Sequence, residues 1–143
     1  MTVVGAKVRV ESDFSKVKRA AEKGNFQSLG RAGAYIRGVA QKSIKISRDY
    51  AQPGHPPHSR RGKLKEAIFF ATERNPPNTV IGPVVSRLGT LGKIHEKGGR
   101  YKIRKTTKRG PMYGNYPKRP FMAPALEISR PRLPSMWAGS VSK

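Results

Sequence analysis

Three histidines and eight acids are the first residues to test for chemistry. His55 and His58 stand three apart within Gln52-Pro-Gly-His-Pro-Pro-His, and His95 is followed by Glu96. A metal site is not expected from them. The prolines keep the two loop imidazoles off any helix face, no carboxylate lies close in sequence, and Arg60, Arg61 and Lys63 would repel a cation. Catalysis has no better support, because the acids are scattered without a general acid–base pair and no serine lies in a Gly-x-Ser-x-Gly turn. Phosphate-loop and dinucleotide fingerprints are missing from the sequence, and so is cysteine, with its disulfides, thiolate ligands and nucleophile. The expectation is a protein that is not an enzyme, with no cofactor and no small-molecule substrate.

Cationic side chains remain. Lys97, Arg100, Lys102, Arg104, Lys105, Lys108, Arg109, Lys118 and Arg119 supply nine positive charges between 97 and 126, a stretch without one acid. Tyr101, Tyr113 and Tyr116 are interleaved. That mixture suits a surface that pairs with phosphates and stacks or hydrogen-bonds beside them. It also suits contact with an acidic protein surface, or a solvated loop that keeps the chain soluble.

The whole chain repeats this bias. Its 143 residues fit one domain, and its net charge is +22. Leu, Ile, Val and Phe number 29, about a fifth of the chain, near the level at which a highly charged sequence stops folding alone. A thin core is expected, together with a partner that supplies negative charge or buries apolar surface. No apolar run approaches the roughly 20 residues of a membrane span, and the first residues lack a signal peptide's basic flank and long apolar stretch. No membrane partner is expected, and the lack of cysteine suits a reducing cytoplasm.

The elements that must position these groups are set by spacing. Val8-Arg9-Val10 reads as a short strand or arm, then Ser12 or Asp13 as the cap of a helix from Phe14 to Lys23 that Gly24 stops. Leu29, Ala32, Ile36, Val39, Ala40, Ser43 and Tyr50 recur at helical spacing and predict the longest helix over 27–50. Gly30, Gly33 and Gly38 weaken it unless close packing offsets them. Ser59 is placed to cap a short helix through Ala67. Ile68 to Thr72 and Thr79 to Val84 read as a hairpin around Asn75-Pro76-Pro77-Asn78. A helix is expected over Ser86 to Glu96, a strand over Arg100 to Arg104, and a long irregular connection over Gly110 to Pro120. A terminal helix begins at Pro120, with Phe121, Leu126 and Ile128 anchoring it, and Pro131 and Pro134 break or kink it. The fold class is therefore α+β: a small antiparallel sheet over about 68–104, packed on the long helix and the terminal helix, with an extended basic arm at about 97–119.

Three stretches, in order, resemble the neck and tail-completion proteins of tailed bacteriophages: Arg60-Arg-Gly-Lys-Leu-Lys-Glu-Ala-Ile; Val80-Ile-Gly-Pro leading to Lys93-Ile-His-Glu-Lys-Gly-Gly; and Arg119-Pro-Phe-Met-Ala-Pro-Ala-Leu-Glu. The resemblance spans roughly residues 30 to 130. Gly62, Leu64, Gly82, Glu96, Gly98, Gly99, Pro120, Phe121 and Leu126 carry it. These motifs look architectural: Gly62 allows close approach at a helix start, Gly98 and Gly99 tolerate positive φ after Glu96, and Pro120 with Phe121 fixes the start of the last helix. The chain departs from the family pattern in its longer, more basic stretch from Lys97 to Arg119 and in Pro131 and Pro134.

The resemblance implies a virion structural protein at the neck or tail-proximal end, assembled in the host cytoplasm as a homo-oligomeric ring around the DNA channel. Six copies would match the tail and twelve the portal. Its partners would be the portal/adaptor or a head-closure protein on one side, the tail terminator or tail tube on the other, and packaged DNA. The alternative on composition alone is a basic RNA-binding protein of ribosomal type.

Overall fold

The computed structural model describes residues 13–107 and 110–141, and for 103–107 the backbone only. The expected strand or arm at Val8-Arg9-Val10 lies outside them. Helix α1 (Phe14–Ser43, 30 residues) opens on Asp13, whose carboxylate accepts the Lys16 backbone N–H at 3.3 Å. It runs unbroken through Gly24, so one helix stands where the sequence predicts two. The cause is tertiary. Gly24 lies against the backbone of Ser140 with no room for a Cβ, the Ser28 hydroxyl donates to the Met136 carbonyl at 2.8 Å, and Trp137 Nε1 donates to Asn25 Oδ1 at 2.9 Å. Buried positions Gly24, Ser28, Ala32, Ile36 and Ala40 form one stripe at four-residue spacing. The helix stops at Ser43 rather than Tyr50, because Ile44 turns extended and buries, and the Lys45 carbonyl accepts the Ser59 N–H at 2.9 Å.

Gly62, at φ 71°, turns the chain into α2 (Lys63–Glu66), where the Ser59 hydroxyl accepts the Leu64 N–H at 3.4 Å and Leu64 enters the core. Strands β1 (Ile68–Arg74) and β2 (Pro77–Pro83) pair antiparallel from Ile68↔Pro83 to Arg74↔Pro77. Their inner face packs on α1: a Cβ on Gly33 would meet Phe70 and Thr79 at 2.7 Å, and the Thr79 hydroxyl donates to the Leu29 carbonyl at 3.2 Å. A two-stranded sheet is marginal alone, so α1 supplies the cover that makes it stable.

The helix expected over Ser86 to Glu96 is two: α3 (Val85–Leu88) and α4 (Leu91–Lys97), parted by Gly89 at φ 56°. Strands β3 (Gly99–Thr107) and β4 (Gly110–Tyr116) then form a second antiparallel hairpin. The stretch after Gly110 is thus paired strand through Tyr116, not an irregular connection, and the single sheet expected over 68–104 is two separate hairpins. Helix α5 (Met122–Ser129) lies along α1, and Pro131 and Pro134 shape the chain beyond it into two 3-10 turns, Arg130–Arg132 and Pro134–Met136. The architecture is α+β, as the patterning predicts.

The core is small: Ile36 and Ala40 from α1 and Ile44 just beyond it meet Leu64, Ile68, Phe121 and Ala125. Phe121 is completely buried. Leu126 and Ile128, expected to anchor α5 beside it, are instead 41% and 64% exposed, because α5 turns Ala125 and Ser129 toward α1. Among the described residues no helix is long and apolar enough to cross a membrane.

Candidate functional site

Two regions gather the residues singled out by sequence. One is a junction where all three motif stretches meet. Glu96 Oε2 accepts the N–H groups of Phe121 at 2.9 Å and Met122 at 3.1 Å, and Oε1 accepts that of Ala123 at 2.9 Å. Pro124 has no N–H, and Ala125 reaches the Phe121 carbonyl at 3.4 Å. One carboxylate from α4 thus fills the open donors of the first turn of α5, where its charge also suits the helix dipole. Phe121 carries that turn into the core beside Leu64 and Ile68 of the first motif.

The same junction absorbs Arg119. Its backbone N–H donates to the His95 carbonyl at 2.7 Å, and its Nε donates to the Ala51 carbonyl at 2.7 Å. Expected as a contact for DNA or an acidic partner, Arg119 is held in the body as a brace between α4 and the loop after α1. Next to it, the Lys118 carbonyl accepts the Gly54 N–H at 2.7 Å while its side chain stays exposed. Burial pushes the His95 imidazole below its ordinary range, and the Arg119 charge adds to that. Gly98, at φ 62°, is required twice over, since a Cβ there would also meet the Lys118 nitrogen and Tyr116 oxygen at 2.9 Å. Gly99 follows at φ 116°.

Three motif residues have other placements than expected. Pro120 lies just outside α5, whose first helical residue is Met122, and it is Pro124 that occupies the first turn. Gly62, expected to allow a close approach, is instead required by its φ of 71°, since an added Cβ would meet Ile46 and Glu66 only at 3.5 and 3.6 Å; Gly82 has nothing within 4 Å of an added Cβ.

The other region is the β3–β4 hairpin, whose strands pack chiefly on each other. Register places Arg100 opposite Asn115 and Lys102 opposite Tyr113, so these four share one face, while Tyr101, Gly114 and Tyr116 belong to the other. On the first face the Arg100 guanidinium lies 5.0 Å from the Tyr113 ring centroid. On the second, Tyr101 and Tyr116 meet edge to face with centroids 6.1 Å apart. Lys97, Arg100 and Lys102 are exposed. The side chains of Arg104 and Lys105, and the whole of Lys108 and Arg109, lie outside the described residues.

The histidines are dispersed. His58 Nδ1 lies 2.9 Å from the Asp49 carbonyl, His55 is exposed, and His95 belongs to the junction. Among the described residues no three His, Asp or Glu side chains are grouped as metal ligands would be.

Sequence reasoning missed an apolar groove of about 430 Å³ between α1, β2 and α5, lined by Ala32, Ile36, Ile81, Met122, Leu126 and Trp137. Trp137 was the available signal, a large apolar residue beyond the last predicted helix. The cap formed by Glu96 had no local signal, because its donors lie 25 to 27 residues away. Compared with protein-family models, with curated proteins and with solved structures, the chain matches none.

Proposed function

We propose that this chain is a structural subunit of a tailed-phage head-to-tail connector, a neck or tail-completion protein that forms a closed ring around the DNA channel and joins the portal side to the tail side. The Glu96 carboxylate on the first turn of α5 is the observation that carries this reading. Of the residues responsible for the resemblance, Leu64, Glu96, Gly98 and Phe121 build a joint between elements, which suits an architectural role. The groove beside α5, together with exposed Leu126 and Ile128, supports a second copy as neighbour, since a cyclic ring sets two different faces of each copy against each other. A subunit with so small a core gains stability from that burial.

The test is the assembly state of the full chain, freed of nucleic acid by nuclease and high salt, by mass photometry and negative-stain microscopy. Rings of six or twelve copies are expected. A monomer that leaves the cell bound to host RNA would replace this reading with the ribosomal-type one.

A further inference from the structure

We infer that the Arg100–Lys102–Tyr113 face of the β3–β4 hairpin grips the phosphate backbone of duplex DNA, with Tyr113 holding the Arg100 guanidinium ready for a phosphate oxygen. This deepens the connector reading, on which the choice of duplex DNA rests.

Three observations carry it. The face is built of hydrogen-bond donors: Arg100 and Lys102 lie two apart on one strand, Tyr113 and Asn115 sit across from them, and the sequence has no acid from 97 to 126 to oppose a polyanion. Arg100 does not hang free, because its guanidinium rests 5.0 Å from the Tyr113 ring centroid, so less side-chain freedom is lost when it meets a phosphate. One face of the hairpin is also small for a stable protein contact made by itself. Nine residues of β3 at about 3.3 Å each, on a ribbon roughly 10 Å wide, offer about 300 Å² per face. A stable protein contact needs about 800 Å² from each partner. Phosphate contacts act one charge at a time and need no such area, and a net charge of +22 draws the polyanion in from a distance.

The experiment measures the affinity of the full chain for a 30-base-pair duplex of random sequence by fluorescence anisotropy between 50 and 200 mM salt. Replacing Arg100→Gln with Lys102→Gln removes two phosphate contacts and should flatten the log–log salt slope by about 1.8. The parent then loses about 12-fold more affinity than the variant across that range. Arg31→Gln with Lys42→Gln, an equal loss of exposed charge on α1, should leave the slope as it was. Tyr113→Ala should weaken binding about two- to fivefold with the slope unchanged, because no charge is removed, and Tyr113→Phe should restore it. All these positions are exposed, and matched melting temperatures check that each variant folds.

The inference is overturned if the hairpin pair leaves the slope intact, if the α1 pair flattens it as much, or if Tyr113→Ala binds like the parent. It is equally overturned if polyglutamate or duplex RNA of matched charge binds tenfold more tightly than the DNA. Mass photometry on the same samples separates this failure from that of the connector reading. Rings without a hairpin-dependent slope sink only the DNA grip, whereas a hairpin-dependent slope in a chain that never forms rings sinks only the connector.

Discussion

Glu96 and Phe121 stand 25 residues apart in sequence and are joined by a 2.9 Å hydrogen bond from the Phe121 N–H to the Glu96 carboxylate. Glu96 supplies the polar half of the start of α5 and the buried Phe121 ring supplies the apolar half. Removing either should loosen α5 from α1.

Glu96→Ala should destabilise the fold by about 2 kcal/mol, the upper end of what a helix cap is worth, because three donors lose a charged acceptor together. That corresponds to a melting temperature lower by about 6–8 °C for a chain of this size. Glu96→Gln should fall between, since it keeps one acceptor oxygen but turns an amide NH₂ toward N–H donors. A circular-dichroism melt in which all three proteins coincide would remove the cap from the stability of the fold.

Two glycines of α1 should respond in opposite directions to the same change. Gly33→Ala places a Cβ 2.7 Å from Phe70 Cδ2 and Thr79 Cγ2, and overpacking of this kind costs about 1–3 kcal/mol. Gly38→Ala meets nothing within 4 Å and should stabilise by up to about 1 kcal/mol through helix propensity. Urea unfolding of the pair checks the sign of each.

Phe121→Ala should cost about 3–5 kcal/mol, as expected for a large aromatic deleted from a core. Ile128→Asp, on the exposed side of α5, should shift stability by no more than about 0.5 kcal/mol. If the neighbouring copy covers α5, the same substitution abolishes rings, so analytical ultracentrifugation and a thermal melt of Ile128→Asp should disagree.

His95 gives the fold a pH dependence of known sign. Its imidazole is held below the ordinary value of 6.5, chiefly by burial, so the unfolded chain takes up the proton more readily. Its contribution is fully present above about pH 6.5 and is lost as pH falls toward the folded-state value. The difference in melting temperature between the parent and His95→Gln should therefore shrink between pH 7.5 and pH 5. A constant difference would place His95 outside the acid response.

Periodicity made the C-terminal half of α1 and the β1–β2 hairpin legible, because Ile36, Ala40, Ile68 and Ile81 carry the apolar pattern themselves. The positive φ at Gly98 and Gly99 was legible from the glycines themselves, whereas at Gly62 a close approach was expected and a φ of 71° is what requires glycine. The concealed features were nonlocal. Gly24 reads as a stop until the Ser140 backbone is laid across it, and Gly110-Pro-Met-Tyr-Gly-Asn-Tyr has poor strand propensity and pairs only because β3 lies alongside. Arg119 counted as one more cation in a basic run, and its bond to the Ala51 carbonyl spans 68 positions.

The hairpin stands on a clamped base, with Gly98 pressed against Lys118 and the His95 carbonyl bonded to the Arg119 N–H, while β3 and β4 bond mostly to each other. Such a part is replaceable. Lengthening it by one residue in each strand carries the tip outward by about 3.3 Å and exchanges the faces beyond the insertion, whereas two in each strand carry it about 6.6 Å and keep every side chain on its side. Insertions of two residues in each strand would therefore change how far the hairpin reaches without altering the joint that holds the body together.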